Sequence, residues 1–425
     1  MQSAEIKELL FSAVDELRPQ LVQTLQDLVR IPSVVGNEAQ AQQYMKKLYQ
    51  DLGLTVEMVE PNMEAVRKHH AFIDTKVPYE GRPNVIGTLP GEQGAPSLAI
   101  NGHVDVVSPE PLEAWTRDPW SGDVEDGLLY GRGAADMKSG LLANYFALKA
   151  ALKAGLRPKG MVRLMSVIDE EAGGAGGTLA CLLAGYKADA LLITEPHGMN
   201  VTVSNAGVNH FKVYVTGRSA HGGVSHLGVN AIGKALPIYQ ALADLDEKRG
   251  REVKYELFEK GSGRSCHVTV GTLHAGDWPS TVPGDAVMEC RISFVPGETK
   301  AEIRAMVEDL VAKVAQEDPW LREHSPKVEW FAWQTEPWQQ DPEHPFVQTL
   351  LQAAQDVAGR PVDLIGRASG LDSRFAPDFG MVAACTGPKG RNYHGIDEYV
   401  ELDSVVETTK VVGLTMLNWC GVAGK

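Results

Sequence analysis

Two short stretches carry residue types that hydrolytic metal centres use: Asn101-Gly-His103-Val-Asp105 and, about thirty residues on, Gly131-Arg-Gly-Ala-Ala-Asp136-Met-Lys138. Imidazole and carboxylate are the ligands that zinc and similar divalent ions take in such sites. Further candidates follow in order as the adjacent pair Glu170-Glu171, then Glu195, then His394. Five ligands with a neighbouring spare carboxylate suggest two metals and a base, which is the chemistry of amide hydrolysis.

Each feature also has a plainer reading. His103 and Asp105 stand at i and i+2 at the end of an apolar strand, so their side chains share a face. That suits a histidine ligand whose ring a carboxylate orients, and equally a buried, hydrogen-bonded histidine. Asp136 can bridge two cations with its two oxygens, or cap the helix that follows. Glu170 and Glu171 lie past an apolar strand and enter the glycine-rich run Ala172-Gly-Gly-Ala-Gly-Gly177. Adjacent carboxylates there need solvent or a cation; one can bind metal while its neighbour takes a proton from water, or both can belong to a solvated loop. Glu195 precedes Pro196, and His394 sits in the polar run Arg391-Asn-Tyr-His-Gly-Ile-Asp-Glu398. All five are expected at or just beyond strand ends of an α/β sheet, where such folds place their sites. His221, in Gly217-Arg-Ser-Ala-His221-Gly-Gly, can donate a hydrogen bond to a developing oxyanion. Arg291 can clamp a substrate carboxylate. A surface or packing role is the alternative for both.

The elements that must position these groups follow from periodicity. Helices are expected at 5–30, 39–52, 138–154, near 178–183, at 345–357 and from 403 onward, with strands at 54–59, 84–89, 97–102, 161–168, 188–193 and 381–385. This alternation predicts an α/β domain with a mainly parallel sheet and helices on both faces. After Asn205 the pattern changes to strand-helix-strand-strand-helix-strand, the order of a ferredoxin-like α+β sandwich. The expected organisation is a discontinuous domain of residues 1–206 and 337–425 with a second, 207–336, inserted. A glycine-rich turn is expected at Gly366-Arg-Ala-Ser-Gly370.

A length of 425 residues makes two domains the default. The net charge of −15 argues against nucleic-acid and anionic-membrane surfaces. No segment approaches the roughly 18 uninterrupted apolar residues of a membrane span. The opening residues read as neither secretory nor transit peptide. The five cysteines, Cys181, Cys266, Cys290, Cys385 and Cys420, are scattered without a Cys-x-x-Cys, as expected for reduced thiols of a cytoplasmic protein. The absence of a Gly-x-Ser-x-Gly elbow argues against a serine hydrolase.

Taken together, Gly-His-Val-Asp, Trp115 with Asp118-Pro-Trp120, Tyr-Gly-Arg-Gly-Ala-Ala-Asp-Met-Lys, Glu-Glu-x-Gly-Gly, Thr-Glu-Pro, Ser-Ala-His and the final His-Gly-Ile-Asp-Glu run in order along nearly the whole chain. This set resembles the di-zinc metallopeptidase and deacylase family of acetylornithine deacetylase, succinyl-diaminopimelate desuccinylase, aminoacylase and glutamate carboxypeptidase. The resemblance implies a zinc-peptidase-like catalytic domain and an inserted lid through which the protein forms a homodimer. It implies two divalent ions, zinc first and cobalt or manganese as alternatives. One would be held by His103 and Glu195, the other by Glu171 and His394, with Asp136 bridging. Glu170 would be general base and acid, and Asp105 would orient His103. The histidine matching His221 reaches the partner subunit's site in that family. Arg291 falls where the family has a carboxylate-binding arginine, and Gly370, Asp372 and Arg374 match its substrate-side loop. The implied activity is hydrolysis of an N-acyl amino acid or similar small carboxylate-bearing amide, with a dipeptidase or carboxypeptidase as alternative and a non-catalytic metal-binding protein more remote. Two departures stand out. Ser280-Thr-Val-Pro283 occupies the lid turn where several relatives carry asparagine, and residues 62–81, with Lys68-His-His70, form a longer stretch that either lines the pocket or covers the sheet edge.

Overall fold

A computed structural model describes residues 3–424, so positions 1, 2 and 425 of the expected first domain lie outside the described residues. The chain divides into two compact units. One comprises the chain up to Val203, Gln340–Leu364 and everything from Phe375 onward; the other comprises Ser204–Gln339 and Ile365–Arg374.

The first unit is built on a sheet whose strands run in the order Thr55–Val59, Asn84–Leu89, Val162–Val167, Leu98–His103, Ala190–Ile193, Val382–Cys385 and Val201–Asn205. Its central four strands are parallel, and antiparallel pairs close both ends. The central strands are buried almost throughout, which is why they read as apolar runs and not as alternation. Helix Ser139–Lys153 is buried around nearly its whole circumference, packed against Ser3–Val29, Leu402–Cys420 and strand Leu98–His103. Helix Ala39–Asp51 packs against strand Asn84–Leu89. Helix Pro345–Ala358 shows the local logic clearly: Pro345 opens it where no amide hydrogen is needed, His344 accepts from the Phe346 amide, and Gly359 ends it at φ 62°.

A second, smaller sheet in the same unit is absent from the expectation drawn from periodicity. Its strands, in the order Gly390–Arg391, Tyr399–Glu401, Leu128–Tyr130 and Val124–Glu125, are antiparallel. The pairing of Tyr399 with Tyr130 sets the loop after Tyr130 beside the loop before Tyr399, and these are the loops that carry Asp136 and His394.

The second unit is a four-stranded antiparallel sheet in the order Val268–Ala275, Asp285–Phe294, Gly207–Thr216 and Lys327–Thr335. Helices Ala231–Glu252 and Lys300–Glu317 contribute Ala235, Ile238, Leu242, Ile303, Val307 and Val311 to one core with Phe211, Met288 and Phe294. Strand order and helix placement are those of the ferredoxin-like βαββαβ arrangement. A capping box of Thr299 and Glu302 starts the second helix. The glycine-rich turn expected at 366–370 is half strand, since Leu364–Arg367 pairs with Val201–Asn205. No helix among the described residues is long and apolar enough to cross a membrane, and all five cysteines are buried.

Candidate active site

His103 is the last residue of its strand, and Glu170–Glu171 and Glu195 lie a few residues past the next two parallel strands, so three chain segments converge at the carboxyl edge of the sheet. Asp136 and His394 arrive differently, from the two loops joined by the small antiparallel sheet, and this corrects the expectation that all five follow strands of the α/β sheet. Close packing fixes the edge. A Cβ on Gly140 would lie 1.9 Å from the Thr194 carbonyl oxygen, and one on Gly387 would lie 2.1 Å from that of Glu195. Only glycine lets helix Ser139–Lys153 and the 387 turn press on the backbone that presents Glu195.

The side chains form two triads that share Asp136. In the first, His103 Nε2 lies 3.1 Å from Asp136 Oδ1 and 3.5 Å from Glu195 Oε1. In the second, His394 Nε2 lies 3.5 Å from Asp136 Oδ2 and 3.0 Å from Glu171 Oε2. Each oxygen of Asp136 therefore serves one triad. Asp136 does not cap the following helix, whose N-terminus has no side-chain cap. Glu170 stands beside the first triad, 4.0 Å from His103 Nε2.

The His103 ring is set by its neighbour's backbone. Nδ1 donates to the Asp105 carbonyl oxygen at 2.8 Å, and a carbonyl can only accept. Nε2 is thereby the nitrogen that faces the carboxylates, and the one a metal ion would take in place of its proton. The Asp105 carboxylate lies 3.7 Å from Nδ1 and accepts from the amides of Glu170 at 3.3 Å and Glu171 at 3.1 Å. It thus holds the turn that presents both glutamates, where the spacing alone suggests that it orients the imidazole.

Electrostatics favour cations here. Asp105, Asp136, Glu170, Glu171 and Glu195 crowd two imidazoles. Burial opposes the charged form of His103, yet Glu195, Asp136, Asp105 and Glu170 outweigh it and hold its pKa well above the ordinary value. Hydrogen bonds to Asp136 and Glu171 raise His394 to about 11. Burial raises Asp105 well above the carboxylate range, whereas the two histidines draw Asp136 down against its desolvation. Two ligand atoms on one tetrahedral zinc lie about 3.4 Å apart at ordinary bond lengths, and the spacings of 3.0–3.5 Å within the triads bracket that value. Donor type, charge and spacing all fit a pair of divalent ions.

Several supporting residues are not visible in motif spacing. Glu398 is fully buried. One carboxylate oxygen accepts from the amides of Ala135 and Asp136, each at 3.0 Å; the other accepts from the Gly133 amide at 3.0 Å and Arg132 Nη1 at 2.7 Å. Arg132 also donates to the Gly395 carbonyl at 2.8 Å. Glu398 and Arg132 therefore tie the Asp136 loop to the His394 loop. Lys138, buried, gives its ammonium to the carbonyls of Leu28 and Ile31, and desolvation pushes its pKa down to about 7. The 62–81 segment buttresses the glutamate turn: Tyr79 Oη donates to Asp169 at 2.7 Å, and a Cβ on Gly176 would meet the Tyr79 ring at 2.0 Å. Lys138 and Glu398 signal themselves in the sequence only by closing the runs 131–138 and 391–398, and Tyr79 carries no such signal.

The remaining predicted residues belong to the second unit. His221 is exposed and accepts from the Gly223 amide at 3.0 Å. Arg291 is largely desolvated, which lowers its pKa, and it donates to the Ala368 carbonyl at 2.9 Å. Asp372 and Arg374 are 3.6 Å apart, and Gly370 packs under Trp333, where a Cβ would lie 2.4 Å from the ring.

The sequence profile of Peptidase family M20/M25/M40 matches residues 99–418. The chain is 30% identical over 362 residues, 80% of its own length and 84% of the relative's, to N-formyl-4-amino-5-aminomethyl-2-methylpyrimidine deformylase of Bacillus subtilis (strain 168). It is 28% identical over 401 residues, 91% and 94% of the two chains, to succinyl-diaminopimelate desuccinylase of Rhodopseudomonas palustris (strain BisB5). Among solved structures, human carnosine dipeptidase 1 superposes with a TM-score of 0.77 at 20% identity, covering 98% of this chain and 99% of that one. With this profile match and two triads of metal-ligating groups at the sheet edge, the chain belongs to Peptidase family M20/M25/M40 and is a hydrolase of carbon–nitrogen amide bonds.

Proposed function

We propose that this protein removes an acyl group from a small N-acyl amino acid or similar carboxylate-bearing amide, using two divalent ions, zinc by preference. The observation that carries the reading is the pair of triads sharing Asp136, with Glu170 outside both ligand sets and close beside them. His103 and Glu195 would hold one ion, Glu171 and His394 the other, and Asp136 both. Bound there, the ions would supply Lewis acidity to the scissile carbonyl and make water acidic enough to attack near neutral pH. Glu170 then takes the water's proton and returns it to the departing nitrogen. Asp105 keeps Glu170 in reach by fastening its turn. Arg291 would bind the substrate carboxylate, beside Gly370, Asp372 and Arg374. Residues 1–206 with 337–425 would form the catalytic domain and 207–336 the lid, with Ile365–Arg374 belonging to the lid's compact unit.

Dimerisation through the lid accords with the exposed apolar side chains of the second unit, Leu227, Leu236, Tyr239 and Trp278. His221 of the partner subunit would then meet the tetrahedral oxyanion. Such an enzyme works in the cytoplasm, without nucleic acid or membrane. Deacylation is favoured over peptidase action by the two curated relatives, whose names describe removal of formyl and succinyl groups. The test is a hydrolysis panel of N-formyl, N-acetyl and N-succinyl amines and of dipeptides. Turnover of acyl compounds at least about tenfold above dipeptides is expected, and the reverse order would overturn the substrate assignment.

A further inference from the structure

The long 62–81 segment carries a donor set that the reaction does not use. His69 and His70 follow the short helix Met63–Val66, and both turn Nε2 toward one oxygen of Asp378, more than three hundred positions on. His70 Nε2 lies 2.9 Å from Asp378 Oδ2, and His69 Nε2 lies 3.6 Å from the same atom. The two rings stack at 4.6 Å, and His69 lies flat on Phe379 at 6.0 Å. The contact of His69 with Asp378 is too long for a hydrogen bond. Adjacent histidines normally diverge in extended or helical chain; here the turn after Val66 makes them converge.

The catalytic triads provide an internal ruler. Their ligand atoms are separated by 3.0–3.5 Å, and those of His69, His70 and Asp378 by 2.9 and 3.6 Å from the shared oxygen. All three groups hold their ligand atoms within 4.8 Å of one another. Two imidazoles and a carboxylate, with the fourth position left to water, are a usual donor set for zinc. We propose that His69, His70 and Asp378 form a third divalent-cation site, distinct from the catalytic pair, that staples the 62–81 segment to the chain just after its return to the first unit at Phe375.

The site differs from the catalytic pair in two ways that set its strength. His70 is 70% exposed, so water competes for the ion. Binding through His69 Nε2 also moves that ring's proton to Nδ1, which releases the Ala71 amide now donating to Nδ1 at 3.3 Å. Both effects make this the weakest of the three binding steps. Its consequence is mechanical. The same segment carries Tyr79, which holds Asp169 next to Glu170, so a bound ion would stiffen the support of the glutamate turn.

The experiment titrates chelator-treated protein with Zn2+ by calorimetry, with metal analysis after desalting, and repeats both with His70→Ala and Asp378→Asn. Neither variant touches the residues assigned to hydrolysis. The expected result is three equivalents in the unaltered protein and two in each variant. In the variants the third-step affinity should fall by more than about a hundredfold, since losing an outer partner of a ligand alone costs about ten to a hundredfold. Hydrogen exchange across 62–81 should slow on addition of the third equivalent, and only in the unaltered protein. A stoichiometry that does not fall by one equivalent from the unaltered protein to each variant would overturn the proposal. An Asp136→Asn protein separates this from failure of the catalytic assignment: it should lose the tight steps and keep the weak one.

Discussion

Replacing Glu398 by glutamine removes one charge and half of an acceptor set, with almost no change in shape. Each carboxylate oxygen now receives two N–H donors, all within 2.7–3.0 Å. The amide keeps a single carbonyl, so one pair of donors loses its acceptor and faces an NH2 group instead. Whichever way the amide turns, two buried donors are orphaned, at about 1–3 kcal/mol each. The total, about 2–6 kcal/mol, has two outlets. Part appears as lost stability, because Arg132 is buried and loses its counter-charge. The rest appears as movement of the 133–136 loop, which carries Asp136, the residue common to both triads. Metal affinity should accordingly drop by about ten to a hundredfold, as for other partners that orient ligands. Thermal melting of the chelated protein reads the first part, and calorimetric Zn2+ titration reads the second. A variant that melts early yet binds Zn2+ as tightly as the parent would refute the positioning argument.

Glu170→Gln should retain both tight metal equivalents and lose about 10²–10⁴-fold in kcat; an undiminished kcat with metal bound would remove Glu170 from its role. Mixing Glu170→Ala and His221→Ala proteins, after exchange of subunits, should restore about a quarter of parental activity, because half the dimers are mixed and each has one complete site. Absence of any recovery, with mixed dimers demonstrated, would place His221 outside the partner's site. In the second unit, burial and then the charge of Arg291 push His210 down to about 4. The folded histidine stays neutral while the unfolded one takes a proton, so stability present above about pH 6.5 is lost as pH falls toward about 4, by up to roughly 3 kcal/mol. Urea unfolding of the parent should show that slope, and of His210→Asn a shallower one.

The triad residues that follow parallel strands are the most legible in the sequence, because core packing alone gives no reason for a buried apolar run to end in His103 or lead to Glu195. The helices with strong boundary residues, such as Pro345 and Gly359, are equally plain. What stays hidden depends on contacts between distant segments. Strands of two or three residues, such as Gly390–Arg391 and Leu128–Tyr130, are too short to show a period, yet they decide where His394 and Asp136 go. In the sequence Glu398 is one more acid in a polar run, and only its burial reveals four donors. Spacing ties Asp105 to His103, while its carboxylate serves backbone amides sixty-five and sixty-six positions away. Helix Glu256–Ser262 falls below the length at which amphipathic spacing is distinguishable from a polar loop.

Hydrolysis is expected to depend on ions held by His103, Asp136, Glu171, Glu195 and His394, and that dependence is measurable. Its most direct test is to strip the enzyme with chelator, add Zn2+ back stepwise, and follow bound metal and turnover of the best acyl substrate together. Negligible activity in the stripped protein and full recovery at two tightly bound equivalents are expected, with no recovery in Asp136→Asn. Full activity without metal, or recovery in the Asp136 variant, would contradict it.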